Sequence, residues 1–254
     1  MKIILSPAKK MVEDWDSLPP SGLPRFLPEA EVLKSALQAL SPAEAQALWG
    51  CSDALAELNL KRLQTMDLHT HLTPAILAYE GIQYQYMAPG VLEEGALSYI
   101  QEHLRIVSGL YGLLRPFDGV TPYRLEMQAK LAVDGKKDLY GFWGSKLGEA
   151  LGRETDLVLD LASKEYSSAV LPHLPQSVHV LRCVVGEEKK GKVVEKGTFC
   201  KMARGMMVRF MAEHDVETAE ALRDFSGLGF RFSEALSDDH TLVYIREPET
   251  KEDF

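Results

Sequence analysis

Arg105, Arg115, Arg124 and Lys130 stand within residues 103–130 with only Asp118 and Glu126 against them. The local balance is four minus two, or +2, inside a chain of formal net charge -9. Gly109, Gly112, Pro116, Gly119 and Pro122 interrupt the same stretch, so the backbone turns repeatedly between the cations. The chemistry this combination suits is anion binding. Glycines flanking Leu110-Tyr111 leave backbone N–H groups uncovered in a tight turn, and such nests hold phosphate oxygens. A competing reading needs no ligand: the glycines permit close packing, Leu110, Leu113 and Leu114 fill a core, and the arginines pair with Asp118 and Glu126.

Three further places carry candidate chemistry. Lys2–Leu5 reads as a buried strand followed by Ser6-Pro7-Ala8-Lys9-Lys10, a hydroxyl cap with proline at the first helical position. Amides exposed there attract an anion, with Lys9 or Lys10 adding charge. Residues 157–161 read as a strand buried on both faces, and Ala162-Ser163-Lys164-Glu165-Tyr166 then turns into a helix. In an open α/β sheet these junctions would let Ser6 and Ser163 frame one crevice at the carboxyl ends of strands. Residues 201–211 predict a helix with Met202, Ala203, Met206, Met207 and Phe210 on one face and Lys201, Arg204 and Arg209 on the other. Gly205 among those cations implies a close approach, by a phosphate or by another backbone.

The remaining pattern supplies the elements that position these residues. Helices are predicted over 29–40, 43–49 (capped by Ser41-Pro42), 52–62, 74–79, 93–107, 138–151 and 218–225. Strands are predicted over 81–86, 178–185 and 192–199, the last two joined by a charged hairpin tip at 186–191, and a terminal hairpin over 229–232 and 241–246. Residues 14–28, rich in proline and serine, read as an irregular surface segment. The sum is a mixed α/β (α+β) fold: one large domain over 1–254, a central mixed sheet with helices around it, and a basic cleft.

Composition narrows the function classes. No apolar run approaches the roughly 20 residues that cross a bilayer, and the apolar start is too short for a signal peptide. The expectation is a cytoplasmic protein without a membrane partner. Cys51, Cys183 and Cys200 are scattered, as reduced thiols are. His69 and His71 have no third ligand nearby in sequence, and no metal site is expected. Phosphate-loop, GxSxG, HExxH and zinc-knuckle patterns do not occur, and no cofactor is expected.

Leu5-Ser6-Pro7-Ala8-Lys9, Ser108-Gly109-Leu110-Tyr111-Gly112 with Leu114-Arg115-Pro116, Pro122-Tyr123-Arg124-Leu125-Glu126-Met127, Leu161-Ala162-Ser163 with Glu165-Tyr166, and Ala203-Arg204-Gly205 with Arg209-Phe210 resemble the bacterial peroxide stress resistance YaaA family over nearly the whole chain. The resemblance implies a cytoplasmic protein that limits intracellular free iron under hydrogen peroxide. It also implies a mixed α/β fold with a positively charged cleft that binds DNA through a helix-hairpin-helix region. Residues 108–112 have the hydrophobe-glycine alternation of such a hairpin, with Pro116 ending a second helix early.

Two expectations follow. In the first, DNA, duplex or locally unpaired, binds a cleft lined by Lys9, Arg105, Arg115, Arg124, Lys201, Arg204 and Arg209, with Gly109, Tyr111, Gly112 and Ser163 contributing phosphate contacts or stacking. In the second, the same cleft modifies a nucleotide or nucleobase, with Glu165 as general acid or base, Ser6 and Lys9 as further candidates, and Tyr111 or Tyr166 stacking. The second is supported by a remoter similarity of the Ser6-Pro7 loop, Tyr111-Gly112-Leu113-Leu114 and Pro122-Tyr123 to domains associated with archaeosine synthase. Those domains usually carry a cysteine in the first loop, where this chain has Ser6-Pro7.

Overall fold

Ile3-Ile4-Leu5 has no polar alternation, so a strand made of it is stable only where both faces are covered. The computed structural model of the chain, which describes residues 1–189 and 191–246, places it at the centre of a sheet. In chain order the strands are β1 (Lys2–Leu5), β2 (Lys10–Met11), β3 (Thr73–Pro74), β4 (Tyr79–Glu80), β5 (Leu104–Ser108), β6 (Gly112–Leu114), β7 (Gly119–Val120), β8 (Leu157–Asp160), β9 (His179–Lys189), β10 (Lys192–Val194), β11 (Phe230–Phe232) and β12 (Thr241–Arg246). Eight of them form one mixed sheet in the order β11-β12-β9-β8-β1-β5-β6, with β10 paired to β9. β1 runs parallel to both β5 and β8, β9 runs parallel to β8 and β12, and β6 and β11 are antiparallel additions. β2 with β4, and β3 with β7, form two small antiparallel pairs.

This order creates a topological switch. From β1 the sheet continues to β5 on one side, while from β8 it continues to β9 on the other. The carboxyl ends of β1 and β8 therefore open a crevice where the connections diverge, the usual place for a ligand in such sheets. The helices are α1 (Leu27–Gln38), α2 (Pro42–Trp49), α3 (Asp53–Gln64), α4 (Ala75–Ala78), α5 (Ile82–Met87), α6 (Glu94–His103), α7 (Leu139–Trp143), α8 (Lys146–Gly152), α9 (Lys164–Ser167) and α10 (Gly197–Glu213). Among the described residues no helix is long and apolar enough to cross a membrane. The mixed α/β expectation holds.

Several local expectations are corrected, each by tertiary packing. Residues 81–86 are not a strand; α5 stands there, burying Gln83, Tyr84 and Met87 and packing along α10. Helix 93–107 stops at His103, because Leu104 and Ile106 pair with Ile3 and Leu5 of β1. Helix 138–151 is split at Gly144, whose φ of 49° breaks the helical path between α7 and α8. Strand 192–199 ends at Val194, and Gly197 already belongs to α10. Strand 178–185 extends to Lys189, so the hairpin turn is shorter than expected. Lys190 of that tip and residues 247–254 lie outside the described residues. Residues 218–225 contain a 3-10 turn at Ala221–Asp224 in place of a helix. The terminal hairpin forms as expected, Phe230 pairing with Arg246.

The region expected to be helix-hairpin-helix is strand-turn-strand. β5 and β6 form an antiparallel hairpin around residues 109–111, with Ser108 opposite Gly112. β-branched and leucine residues on both arms are fully covered, and Gly112, at φ 71°, makes the turn.

Candidate functional site

Ser6 follows β1 directly and Ser163 follows Leu161-Ala162 after β8, so parallel pairing of the two strands brings them together at the switch point. The Ser163 N–H donates to Ser6 Oγ at 2.8 Å, and the two hydroxyl oxygens lie 3.2 Å apart. The Ser6 carbonyl accepts from Gln83 Nε2 and from the Tyr84 hydroxyl, each at 3.0 Å. The crevice floor is thus clamped from α5. Beneath it the Ser108 hydroxyl, the Tyr123 hydroxyl and the Tyr79 hydroxyl form a buried chain at 2.6 and 2.9 Å. Burial pushes the Tyr123 phenol up to about 12.

Beside the floor lies a concavity of about 530 Å³ lined by Lys9, Trp49, Gly50, Glu126, Gln128 and Lys130. Glu126 bridges two cations, with Oε2 at 2.8 Å from Lys9 Nζ and Oε1 at 3.3 Å from Arg124 Nη2. That same nitrogen donates to the Trp49 carbonyl at 3.4 Å. Two donors here are buried with no hydrogen-bond partner: Arg124 Nε and the indole Nε1 of Trp49, a residue only 6% exposed. Buried donors are ordinarily satisfied, so each of these two is an exception. Glu165 at the start of α9 closes the group, its Oε1 accepting from the Gln128 N–H at 3.2 Å. Burial raises its carboxyl above the usual range, and the Glu126 charge adds to the rise.

The other sequence candidates lie elsewhere or are filled by protein. Arg105 is 4% exposed and bound by Glu154, Nε at 2.8 Å and Nη2 at 2.7 Å, at the amino end of β5. Arg115 is exposed on the same notch, which also holds Arg25, Asp118 and Glu154. Lys201 is exposed on α10, and Arg209 pairs with Glu213 at 2.8 Å on the same helix, beside Glu93 and Asp215. Arg204 reaches Glu195 at 3.4 Å and influences Asp160 at the end of β8, and its Nε is buried without a partner. The expected cation set is therefore divided among separate places, and only Lys9 and Arg124 of it meet, through Glu126.

The glycines have packing reasons. A side-chain carbon at Gly109 would overlap the Leu125 carbonyl oxygen, and at Gly112 it would press on Trp143 and Leu147. At Gly205 it would overlap the Gln83 carbonyl oxygen, so the close approach read from the sequence is by backbone. The Tyr111 N–H donates to Ser108 Oγ at 2.9 Å, and its ring is fully buried, which removes it as a stacking platform. Tyr166 is also buried. His69 and His71 point to different partners: His69 pairs with Glu31 at 3.2 Å, and His71 packs on the Trp15 ring. Sequence reasoning missed Trp49 and Lys130 as members of one site with Lys9. Trp49 ends α2, and nothing in the spacing joins it to residues 124–130.

Comparison with known proteins agrees with this architecture being shared. A family model described as peroxide stress protein YaaA matches residues 1–236. Relatives named UPF0246 protein include one from Lachnoclostridium phytofermentans, 54% identical over 97% of this chain and 96% of its own. Others come from Desulfitobacterium hafniense, at 50% identity over 97% and 98%, and from Pediococcus pentosaceus, at 48% over the same shares.

Proposed function

Because the chain belongs to the peroxide stress protein YaaA family, we propose that it serves peroxide defence by binding nucleic acid, DNA first, through phosphate contacts at the switch-point concavity. One observation carries this reading: Lys9 and Lys130 line a concavity in a chain of net charge -9, and Arg124, joined to Lys9 through Glu126, keeps a buried guanidinium donor that lacks an acceptor. Phosphate oxygens are the acceptors that arginine and lysine take up most readily. The test is duplex and single-stranded DNA affinity measured across salt concentrations. Lys9→Ala with Lys130→Ala is expected to weaken binding and to reduce the salt slope by about two units, about one for each phosphate no longer neutralised. An unchanged slope removes this surface from the proposal.

Limitation of free iron, the second activity implied by the resemblance, is proposed to follow indirectly from this binding, without chelation. The divergent partners of His69 and His71 support that order. Anaerobic titration with ferrous iron checks it. Stoichiometric binding that disappears in His69→Ala with His71→Ala would overturn the indirect route.

A second reading has its own observation. Glu126 and Glu165 place two carboxylates beside Lys9, and Glu165 is raised by burial, the arrangement of a general acid beside a charged partner. It would act on a nucleotide or a nucleobase. Mass spectrometry of nucleosides, damaged duplexes and tRNA incubated with wild type and Glu165→Gln tests it. A product lost in the folded variant establishes the enzyme; no product from wild type removes it.

A further inference from the structure

Lys9 of the concavity and Arg124 beside it are already occupied by one carboxylate, which simple backbone binding does not explain. Glu126 spans Lys9 and Arg124 with separate oxygens, as a phosphate would with two of its own. The Lys9 side chain is 64% exposed and free to follow a new partner. The Arg124 Nε and Trp49 Nε1 protons are buried and have no hydrogen-bond partner. A carboxylate has two oxygens, whereas a terminal phosphate has three besides its ester oxygen. The arrangement therefore has more donors than its internal counter-ion satisfies.

Charge decides which ligand gains from the exchange. A phosphodiester carries one negative charge, so replacing Glu126 with it is close to an even trade. A phosphate monoester carries about 1.5 to 2 negative charges at neutral pH and three strong acceptor oxygens. It gains both in charge and in hydrogen bonds over the carboxylate it displaces. A volume of about 530 Å³ is within the range of pockets that hold small ligands and fits a single nucleotide.

We propose that Lys9, Arg124 and Trp49 form a phosphate-monoester subsite for a terminal phosphate, on a nucleic-acid end or a free nucleotide, and that Glu126 is its internal competitor. This rests on the nucleic-acid reading and deepens it, since it turns a general backbone contact into recognition of an end. Gln128 and Lys130 line the same concavity and are placed to meet the remainder of the ligand. Glu165 accepts from the Gln128 N–H at 3.2 Å and lies close enough to Glu126 for the two charges to interact.

The experiment uses the full chain and short duplexes that differ only in a 5′-phosphate or 5′-hydroxyl, with nucleoside monophosphate and nucleoside as separate titrants. Wild type is expected to prefer the phosphorylated end by about tenfold or more, the factor of one charge-assisted hydrogen bond. Glu126→Gln is expected to bind both ends more tightly and to narrow the preference, because the cations are then free for a diester as well. Lys9→Ala, at an exposed position that does not endanger folding, is expected to abolish the preference. A monophosphate that binds while its nucleoside does not, with duplex ends ignored, assigns the subsite to the free nucleotide. Salt-dependent DNA binding that ignores the terminal phosphate, with monophosphate and nucleoside binding alike, overturns the inference and leaves the binding reading standing. Failure of wild type to bind any DNA or monophosphate, even at low salt, overturns both.

Discussion

The two ends of the sheet hold matching sets of charges and use them differently. At the amino end, Arg25, Arg105 and Arg115 face Asp118 and Glu154 around a notch of about 360 Å³. At the carboxyl end, Lys9, Lys130 and Glu126 line about 530 Å³, with Arg124 bound to Glu126 and Glu165 bound to the Gln128 N–H. In the notch the buried arginine is saturated: Nε and Nη2 go to Glu154, and Nη1 donates to the carbonyls of Gln101, Glu102 and Leu104. In the crevice the most buried arginine and the neighbouring tryptophan each keep an unused donor. Equal counts of charge thus mark a structural rivet in one place and the proposed ligand site in the other. Hydrogen-bond saturation, not charge, separates them.

The sharpest way to break this contrast is to open the rivet. Glu154→Ala is expected to cost about 3 to 5 kcal/mol, because it leaves the Arg105 guanidinium buried and uncompensated. Urea denaturation reads it. A loss below about 1 kcal/mol would reduce the pair to the rank of a surface bridge and erase the contrast.

Asp118 tests the notch through pH. Burial raises its carboxyl to about 6 from an ordinary 3.8, despite the Arg115 N–H at 2.8 Å. The folded protein therefore holds this proton where the unfolded chain has lost it. Stability from this group falls as pH rises between those values, by at most about 3 kcal/mol at about 1.4 kcal/mol per unit. Comparing urea midpoints of wild type and Asp118→Asn from about pH 4 to about pH 7 isolates it. Parallel curves would show that the carboxyl is not held in a desolvated notch.

Support for the crevice is tested at Gly205. Gly205→Ala forces α10 away from the Gln83 carbonyl, and α5 carries both groups that clamp Ser6. The expected loss is about 1 to 3 kcal/mol of stability, measured by thermal unfolding. DNA affinity is expected to fall with it. Lost stability with unchanged affinity would uncouple the crevice from its clamp.

The smallest expected effect is the most selective. Lys130→Ala and Arg115→Ala both remove exposed cations and are each expected to change stability by no more than about 0.5 kcal/mol. Only Lys130→Ala is expected to lower the salt slope of DNA binding, by about one unit. Equal slopes for the two variants would show that the ends of the sheet are not distinguished by nucleic acid.

Much of the fold was legible because local chemistry and tertiary context agreed. β1 and β8 announce themselves by uninterrupted apolar residues, and α2 by Ser41-Pro42 with Glu44 completing its cap. Ser6 and Ser163 were readable as the ends of two buried strands, although only Ser163 begins a helix and a short strand follows Ser6, and the sheet order then joined them. Where the reading failed, the competing element was distant. Residues 81–86 alternate like a strand, yet Gly205, far along the chain, offers α5 a backbone-close seat. Leu104 and Ile106 continue a helical rhythm, yet they are claimed by β1.

The residues alone determined the family, the mixed α/β class, the anion-favouring inversion of charge, and the two strand ends that meet at the crevice. These depend on residue type and on periodicities within a few positions. Only the tertiary structure decided which cations share a site. It separated Arg105 and Arg115 from Arg124, although the three lie close in sequence: the β5–β6 turn folds Arg115 back beside Arg105 at the amino end, and residues 116–123 carry the chain to Arg124 at the other. It also joined Trp49 to Lys9 and Glu126. Saturation of a buried donor depends on what the rest of the chain places within about 3.5 Å of it, and no local spacing encodes that.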